Sequence, residues 1–130
     1  MIVVDASVVV SALLVDRPEG DAAREALRSD AAHAPHLLDV EVTSAVRRWV
    51  LAGRLTVEEA RSSIRDLGDL AVTRHGHEPL LDRVLELRDA VGAHDGRYVA
   101  LAELLGATVV TGDRRLSRAP GVRCPVSVIG

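Results

Sequence analysis

Four acidic side chains from distant parts of the chain are the main candidates for chemistry. Asp5 directly follows the apolar run at residues 2–4, and Asp113 follows a second apolar run by two residues. Glu41 and Asp95 lie near the predicted starts of two helices. In open sheets of parallel strands, ligands bind outside the carboxyl ends of the strands, where the following helices also begin. We therefore expect the four carboxylates to converge on one site.

Such a convergence predicts a metal site. Neighbouring carboxylates raise one another's pKa unless a cation is bound between them. Ligands that are all oxygen suit a hard ion such as Mg²⁺ or Mn²⁺, which keeps several waters and contacts phosphate. A metal-activated water beside a phosphodiester makes a hydrolysis site.

The alternative is that the acids are ordinary caps. Asp5, Asp95 and Asp113 each stand where a helix or turn cap is expected, a role worth about 1 kcal/mol. Glu41 is harder to explain in this way, because a carboxylate beside an apolar helix face needs a partner. Spacing alone leaves both interpretations open.

Other reactive residue types carry weaker signals. His75-Gly-His77 lacks a third ligand at a suitable spacing, so we interpret these residues as surface histidines. Ser7 is not in a Gly-x-Ser-x-Gly elbow and is expected to orient a carboxylate or a metal-bound water. Cys124 precedes a proline and is expected to be inert. Arg114 and Arg115 are candidates for phosphate contacts, although exposed arginines are usually only solvated.

Composition narrows the function classes. With 130 residues, 48% hydrophobic and 27% charged, the chain is expected to form a single domain over 1–130. Aromatic residues make up only 2%, which predicts an aliphatic core and disfavours binding that stacks bases on aromatic platforms. The chain has no lysine, so P-loop and Schiff-base mechanisms are excluded. Because the net charge is −3, a polyanionic partner would have to bind at local patches of arginine.

Cellular location is also predicted from composition. One cysteine cannot form an internal disulfide, which is typical of a cytoplasmic protein. The N-terminal apolar run is interrupted by Asp5, so it is neither a signal peptide nor a membrane span. We expect a soluble cytoplasmic protein with no membrane partner.

Apolar runs alternate with helical periodicity along the chain. The runs predict strands at 1–4, 32–34, 70–73, 107–111 and 126–129. Helical spacing predicts helices at 8–15, 19–29, 38–52, 56–67, 79–91 and 95–105. A capping box at Thr56-Val-Glu-Glu59 and a glycine cap at Gly106 delimit two of them. The pattern predicts an α/β protein, a three-layer α/β/α sandwich with a mainly parallel central sheet.

Four motifs in this order resemble PIN-domain ribonucleases of the VapC toxin type, from bacterial VapBC toxin–antitoxin pairs. They are Ile2-Val-Val-Asp-Ala-Ser7, Pro35-His-Leu-Leu-Asp-Val-Glu41, His94-Asp-Gly-Arg-Tyr-Val-Ala-Leu-Ala-Glu103 and Thr111-Gly-Asp-Arg-Arg-Leu116. The match extends over essentially the whole length, and the third motif followed by the fourth is its most specific part.

The resemblance implies a site and an activity. It assigns the family's catalytic and metal-binding acids to Asp5, Glu41, Asp95 and Asp113, and its small hydroxyl residues to Ser7 and Thr111. It implies a Mg²⁺- or Mn²⁺-dependent endonuclease that cleaves RNA, often in a tRNA or rRNA loop, and leaves a 5′-phosphate. Two alternatives remain: a nuclease that uses the same acids on DNA, and a non-catalytic module that binds RNA or a partner.

The resemblance also implies partners. It predicts a homodimer and inhibition by a cognate VapB-like antitoxin, whose apolar segment lies in a groove. The helix that carries Trp49 and the 56–67 helix are the candidate walls of that groove. The alternative for Trp49 is an ordinary place in the core.

Overall fold

Five parallel strands form the middle of the fold. The computed structural model describes all 130 residues, and its strands are β1 (Ile2–Val4), β2 (Ala32–Pro35), β3 (Val72–His75), β4 (Thr108–Thr111) and β5 (Val126–Val128). Their order across the sheet is β3-β2-β1-β4-β5, and every neighbouring pair is parallel. The central strand β1 pairs Val3 with His33 on one side and with Val109 on the other. All the strands therefore end at one edge of the sheet.

Six α-helices cover the sheet: α1 (Ala6–Leu14), α2 (Glu19–Ser29), α3 (Leu37–Leu51), α4 (Val57–Asp69), α5 (Leu81–Glu86) and α6 (Ala93–Leu105). On one face, α1 packs against α2, α3 and α4. On the other face, α6 lies against β1, β2 and β4, and α5 packs beside it. The predicted three-layer α/β/α class is confirmed, with a sheet that is entirely rather than mainly parallel.

Local signals in the sequence correctly located several helix ends. The capping box is formed: the Thr56 hydroxyl accepts from the Glu59 amide at 3.1 Å, and the Glu59 carboxylate accepts from the Thr56 amide at 3.0 Å. At the end of α6, Gly106 adopts a φ of 66°, a left-handed conformation that glycine reaches without strain. Helix α2 begins and ends at the predicted residues.

Two predicted elements are wrongly placed, and α1 and α6 begin at Ala6 and Ala93, each two residues before the predicted start. The third strand was predicted at 70–73 but lies at Val72–His75, because α4 continues to Asp69 and Leu70 serves as its C-cap. The helix predicted at 79–91 begins as a 3₁₀ helix, Glu78–Leu80, and α5 ends at Glu86. Beyond α5 the chain turns tightly, since the amides of Ala90 and Val91 both donate to the carbonyl of Leu87. The second 3₁₀ helix, Arg114–Arg118, was not predicted.

The core is aliphatic, as the composition predicts. Its largest fully buried side chain is Tyr98, which is 1% exposed and is the only aromatic residue of the core. Trp49 does not belong to the core: it is half-buried on α3, with the guanidinium carbon of Arg54 3.9 Å from its ring centroid. The alternative that Trp49 is an ordinary core residue is therefore wrong. No helix is long and apolar enough to cross a membrane.

Histidines connect the edge strand β3 to its neighbours. His33 Nδ1 lies 2.9 Å from His75 Nε2, and His77 Nε2 accepts from the Leu37 amide at 3.0 Å. Burial lowers the pKa of His33, with a further contribution from His75, and burial likewise lowers the pKa of His77 beside Arg97. These histidines are partly buried and structural rather than the surface residues predicted from the sequence.

This histidine cluster predicts a stability that depends on pH. The pKa of His33 is lower in the folded protein than in the unfolded chain, so the unfolded chain takes up protons first as the pH falls. We expect the melting temperature to fall by about 2–5 °C between about pH 7.5 and 5.5. The variant His33→Gln should show a shallower fall in circular-dichroism melts. Equal slopes for His33→Gln and wild type would contradict the assignment of the pH dependence to His33.

Candidate active site

Four carboxylates meet at the carboxyl edge of the sheet. Asp5 directly follows β1, Asp113 follows β4, Glu41 lies in the second turn of α3 and Asp95 in the first turn of α6. They are close enough for the charges of Asp5, Glu41 and Asp113 each to raise the pKa of Asp95. The structure thus brings together the residues singled out from the sequence, from segments that are far apart in the chain.

Asp5 is the most rigidly held of the four. The residue is 8% exposed, and its Oδ1 accepts from the Ser7 hydroxyl at 2.5 Å and from the Val8 amide at 3.2 Å. The buried Thr111 hydroxyl donates to Oδ2. Asp5 therefore caps α1 and points into the site at the same time, so its capping role does not compete with a role in the site.

The loop that follows β4 is tied to Ser7. The Gly112 amide donates to the Ser7 hydroxyl at 3.0 Å, and the Asp113 amide donates to the Thr111 hydroxyl at 3.0 Å. A Cβ atom at Gly112 would lie only 3.2 Å from the Ser7 oxygen, so a larger residue would push against it. The two hydroxyl residues thus fix the distance between the segments that carry Asp5 and Asp113.

Asp113 is paired with Arg115. Its Oδ1 accepts from the Arg115 amide at 2.9 Å, and the guanidinium donates to both carboxylate oxygens at 3.1 and 3.0 Å. These hydrogen bonds lower the pKa of Asp113. The Arg115 side chain is 90% exposed, so solvent screens the pair and leaves it readily broken. Arg114 is also exposed, beside the same edge.

Glu41 has a partner that the sequence analysis did not single out. The hydroxyl of Tyr98 donates to Glu41 Oε1 at 2.6 Å, and His94 Nδ1 lies 3.7 Å from Oε2. Burial, and then the bond to Glu41, raise the pKa of Tyr98, so its hydroxyl remains a donor. The available signal was spacing: Tyr98 lies three residues after Asp95 on one helix, and so on the same side of it.

Asp95 is the acid without a protein donor. Although the residue as a whole is exposed to solvent, protein atoms crowd its carboxyl group on one side. This partial burial raises its pKa first, and the three neighbouring carboxylates raise it further, against a smaller opposing effect of Arg115. Unlike Asp5 and Asp113, it makes no capping hydrogen bond, so the cap interpretation does not apply to it.

The donor set fits a hard divalent cation. All the candidate ligands are carboxylate oxygens, and the charges around Asp95 are only partly compensated, by the exposed Arg115. No three carboxylates, histidines or cysteines stand together at metal-ligand distance. Mg²⁺ usually binds one or two carboxylates directly and retains several waters, so the remaining acids would act through those waters.

Two clefts flank the acidic cluster. One, of about 530 Å³, lies along α3 and includes Ser7, Glu41, Trp49 and His94. The other, of about 560 Å³, lies on the opposite side and includes Ser7, Asp113 and Arg115. Ser7 lines both, so the clefts meet at the cluster and leave it open to a long substrate from two directions.

Comparison with known proteins decides the family. The sequence model of the PIN domain matches residues 2–122. Ribonuclease VapC9 of Mycobacterium tuberculosis is 40% identical over 129 residues, which is 99% of this chain and 98% of that protein. This chain belongs to the PIN-domain family. Ribonuclease VapC1 of the same species is also 40% identical, over 98% of this chain and 96% of its own length, so the chain is a VapC-type PIN domain.

Solved structures share the PIN-domain fold. VapBC2 from Rickettsia felis, bound to a DNA fragment from its promoter, superimposes with a TM-score of 0.73 at 16% identity, with both chains fully covered. DNA-bound VapBC from Salmonella typhimurium gives 0.68 at 15% identity, over 96% of each chain. At these identities the likeness concerns the fold. PIN-domain VapC ribonucleases generally depend on a divalent metal, which agrees with the donor set of this PIN domain.

Repulsion within the cluster predicts that Asp95→Asn raises the melting temperature of the metal-free protein by about 1–4 °C. The same variant should lose most of the rise in melting temperature that Mg²⁺ produces in the wild type, since a ligand that binds the folded state stabilises it. Differential scanning fluorimetry with and without Mg²⁺ measures both effects. Asp89→Asn is the control, because it removes an exposed acid that is not among the groups that shift the pKa of Asp95. An Asp95→Asn protein that melts no higher than wild type contradicts the repulsion.

Proposed function

We propose that this PIN domain is a Mg²⁺- or Mn²⁺-dependent endoribonuclease and the toxin of a type II toxin–antitoxin pair. The observation that carries the proposal is the meeting of four carboxylates at one sheet edge, in a chain 40% identical to VapC ribonucleases. The names of those relatives favour RNA over DNA as the substrate. A purely binding module is disfavoured, because the neighbouring carboxylates raise the pKa of Asp95 and a bound cation would offset that repulsion.

The proposed roles follow from the contacts of each acid. Asp5, held by three donors, and Asp95, which has none, are the principal ligands of the ion. Glu41 and Asp113 complete the cluster directly or through waters. When bound, the ion activates a water and neutralises charge on the phosphodiester.

One of the four acids is proposed to act as the base toward the attacking water. In-line attack of that water at phosphorus, with departure of the 3′ oxygen, would leave a 5′-phosphate and a 3′-hydroxyl. Ser7 and Thr111 support this geometry by keeping the Asp5 carboxylate in one orientation.

Arg114 and Arg115 are the proposed RNA-binding residues. Both are exposed beside the cluster, and guanidinium groups pair well with phosphate. Arg115 pairs with Asp113 in the free protein, so an RNA phosphate would compete with that carboxylate for the guanidinium. Contacts of this kind position the backbone of a nucleic acid without reading its sequence.

An antitoxin is the proposed partner at a groove between α3 and α4. The groove measures about 450 Å³; its apolar lining includes Val46, Val50, Val57 and Ile64. Leu51, Val57 and Ile64 are 69%, 55% and 37% exposed, so the groove is open. The exposed Arg47, Arg61 and Arg65 border it, which favours an amphipathic helix with acidic flanks. This is the predicted pair of helices, although Trp49 lies in the cleft beside Glu41 instead.

The Rickettsia felis and Salmonella typhimurium neighbours are VapBC assemblies, which supports such a partner. A homodimer is proposed as well, as is common for this family. Since RNA is the proposed substrate, we place the protein in the cytoplasm.

Cleavage of a small-RNA pool tests the proposed activity. The purified protein, freed of antitoxin, should give discrete cuts with Mg²⁺ or Mn²⁺ that disappear with EDTA. Asp95→Asn should reduce the cleavage rate by at least about a hundredfold, because loss of a direct ligand costs more than loss of an outer-shell contact, whereas Asp89→Asn should cut like wild type. DNA strands of matched sequence should remain intact. Cutting of DNA alone, or no metal-dependent cutting, would refute the ribonuclease.

The groove is tested by charge insertion. Ile64→Glu should weaken binding of the cognate antitoxin by about tenfold or more, because an ionised side chain would be buried against an apolar helix. Metal-dependent RNA cleavage without antitoxin should stay unchanged. Leu85→Glu, at a site 64% exposed on α5, is the matched control. Isothermal titration gives the affinities; unchanged binding by Ile64→Glu would place the antitoxin elsewhere.

A further inference from the structure

Tyr98 lies beneath the acidic cluster. It is the only tyrosine of the chain and is 1% exposed, on the buried side of α6. A buried phenol needs a hydrogen-bond partner, and most such groups find one in the backbone or in ordered water. Here the partner is the carboxylate of Glu41, 57 positions away in the sequence and at 2.6 Å. The one phenol hydroxyl of the aliphatic core thus donates its hydrogen bond to a candidate metal ligand.

This contact treats the two oxygens of Glu41 differently. Oε1 turns toward the core and accepts from Tyr98. Oε2 has only His94 Nδ1 nearby, at 3.7 Å, which is too far for a hydrogen bond. Glu41 is about one quarter exposed, so Oε2 is the oxygen that remains accessible from the cleft. Oε2 is therefore the oxygen of Glu41 that accepts no hydrogen bond from the protein and is better placed to bind an ion.

The difference between the two oxygens of Glu41 matters because divalent ions of different size bind carboxylates in different ways. Ca²⁺ takes six to eight ligands and commonly binds both oxygens of a carboxylate, whereas Mg²⁺ prefers a strict octahedron with single oxygens. An ion bound through both oxygens of Glu41 would share Oε1 with the Tyr98 hydroxyl. Its positive charge would repel the donated proton and weaken the hydrogen bond of a buried phenol, which carries a cost.

We propose that Tyr98 is a positioning residue that presents Glu41 to the divalent ion through Oε2 alone, and so makes the site favour small ions over Ca²⁺. The proposal rests on the proposed metal-binding role of Glu41. It assigns to Tyr98 no contact with the substrate and no part in proton transfer.

The variant Tyr98→Phe removes only the hydroxyl. Binding of Mn²⁺ to the whole protein without RNA is measured by electron paramagnetic resonance of free Mn²⁺, with Mg²⁺ and Ca²⁺ as competitors. We expect Mn²⁺ and Mg²⁺ to bind about fivefold more weakly, as for the loss of one hydrogen bond to a charged group. Ca²⁺ should be weakened less or bind more tightly, so preference for Mg²⁺ over Ca²⁺ falls. An unchanged preference overturns the proposal.

Ser63→Ala is the matched control. The Ser63 hydroxyl is also buried and donates to the Glu59 carbonyl at 3.0 Å within α4, away from the acids. Its removal should leave all three ion affinities unchanged, which separates the role of Tyr98 from a general effect of losing a buried hydroxyl.

A double-mutant cycle tests whether Tyr98 acts through Glu41. Glu41→Ala should weaken Mn²⁺ binding, and adding Tyr98→Phe to it should have no further effect. Additive effects of the two changes would mean that Tyr98 acts by another route and would overturn the proposal.

A further measurement keeps the hydroxyl of Tyr98 in place. Because Tyr98 is the only tyrosine, growth on 3-fluorotyrosine labels this position alone. The ¹⁹F resonance should move on saturation with Mg²⁺ and should not move in Asp95→Asn. A resonance that is insensitive to Mg²⁺, in a protein that binds the ion, overturns the positioning role. Wild-type protein that binds no divalent ion and cuts no RNA would instead refute the proposed function itself.

Discussion

Repulsion of Asp95 by the neighbouring carboxylates is the constraint around which the candidate active site of this PIN domain is organised. Like charges repel more strongly where protein displaces water, and the neighbouring carboxylates add to the effect of burial in raising the pKa of Asp95. The chain has no lysine, and most of the groups that stabilise the carboxylates are neutral hydrogen-bond donors. These are the hydroxyls of Ser7, Thr111 and Tyr98 and the amide of Val8, and Arg115 is the guanidinium that pairs with an acid of the cluster. The partial compensation that results leaves a site suited to a divalent ion.

The pairing of the strands brings these hydrogen-bond donors to the carboxylates. Thr111 lies 106 positions after Asp5, yet the two side chains touch because β4 pairs directly with β1. The register matches Val4 with Val110, so the next residue of each strand emerges at the same edge. The aliphatic core beneath holds the strands in this register, since a slip of one residue would turn buried side chains outward.

Helix α3 contributes residues both to the acidic cluster and to the groove proposed for the antitoxin. Its first turns carry Glu41 into the acidic cluster, while Val46 and Val50 on the same helix line the groove against α4. Trp49 and Arg48 face the cleft between these two regions. A partner bound in the groove would therefore lie along the helix that supplies one of the four acids, which is a direct structural route for an inhibitor to reach the active site.

The sequence by itself determined the order of the elements, the three-layer class, several helix ends and the four acids at the carboxyl edge. These depend on signals within a few residues: apolar runs for β1 and β4, the capping box at Thr56, a left-handed glycine at Gly106, and acids placed just after strands. Tertiary structure alone decided the strand order, the two-residue shift of β3, and the early end of α5. It alone also gave the bond between Tyr98 and Glu41 and the placement of Trp49 outside the core. These features depend on which distant segments become neighbours. A hydrogen bond between residues 57 positions apart produces no periodic pattern in the sequence from which it could be predicted.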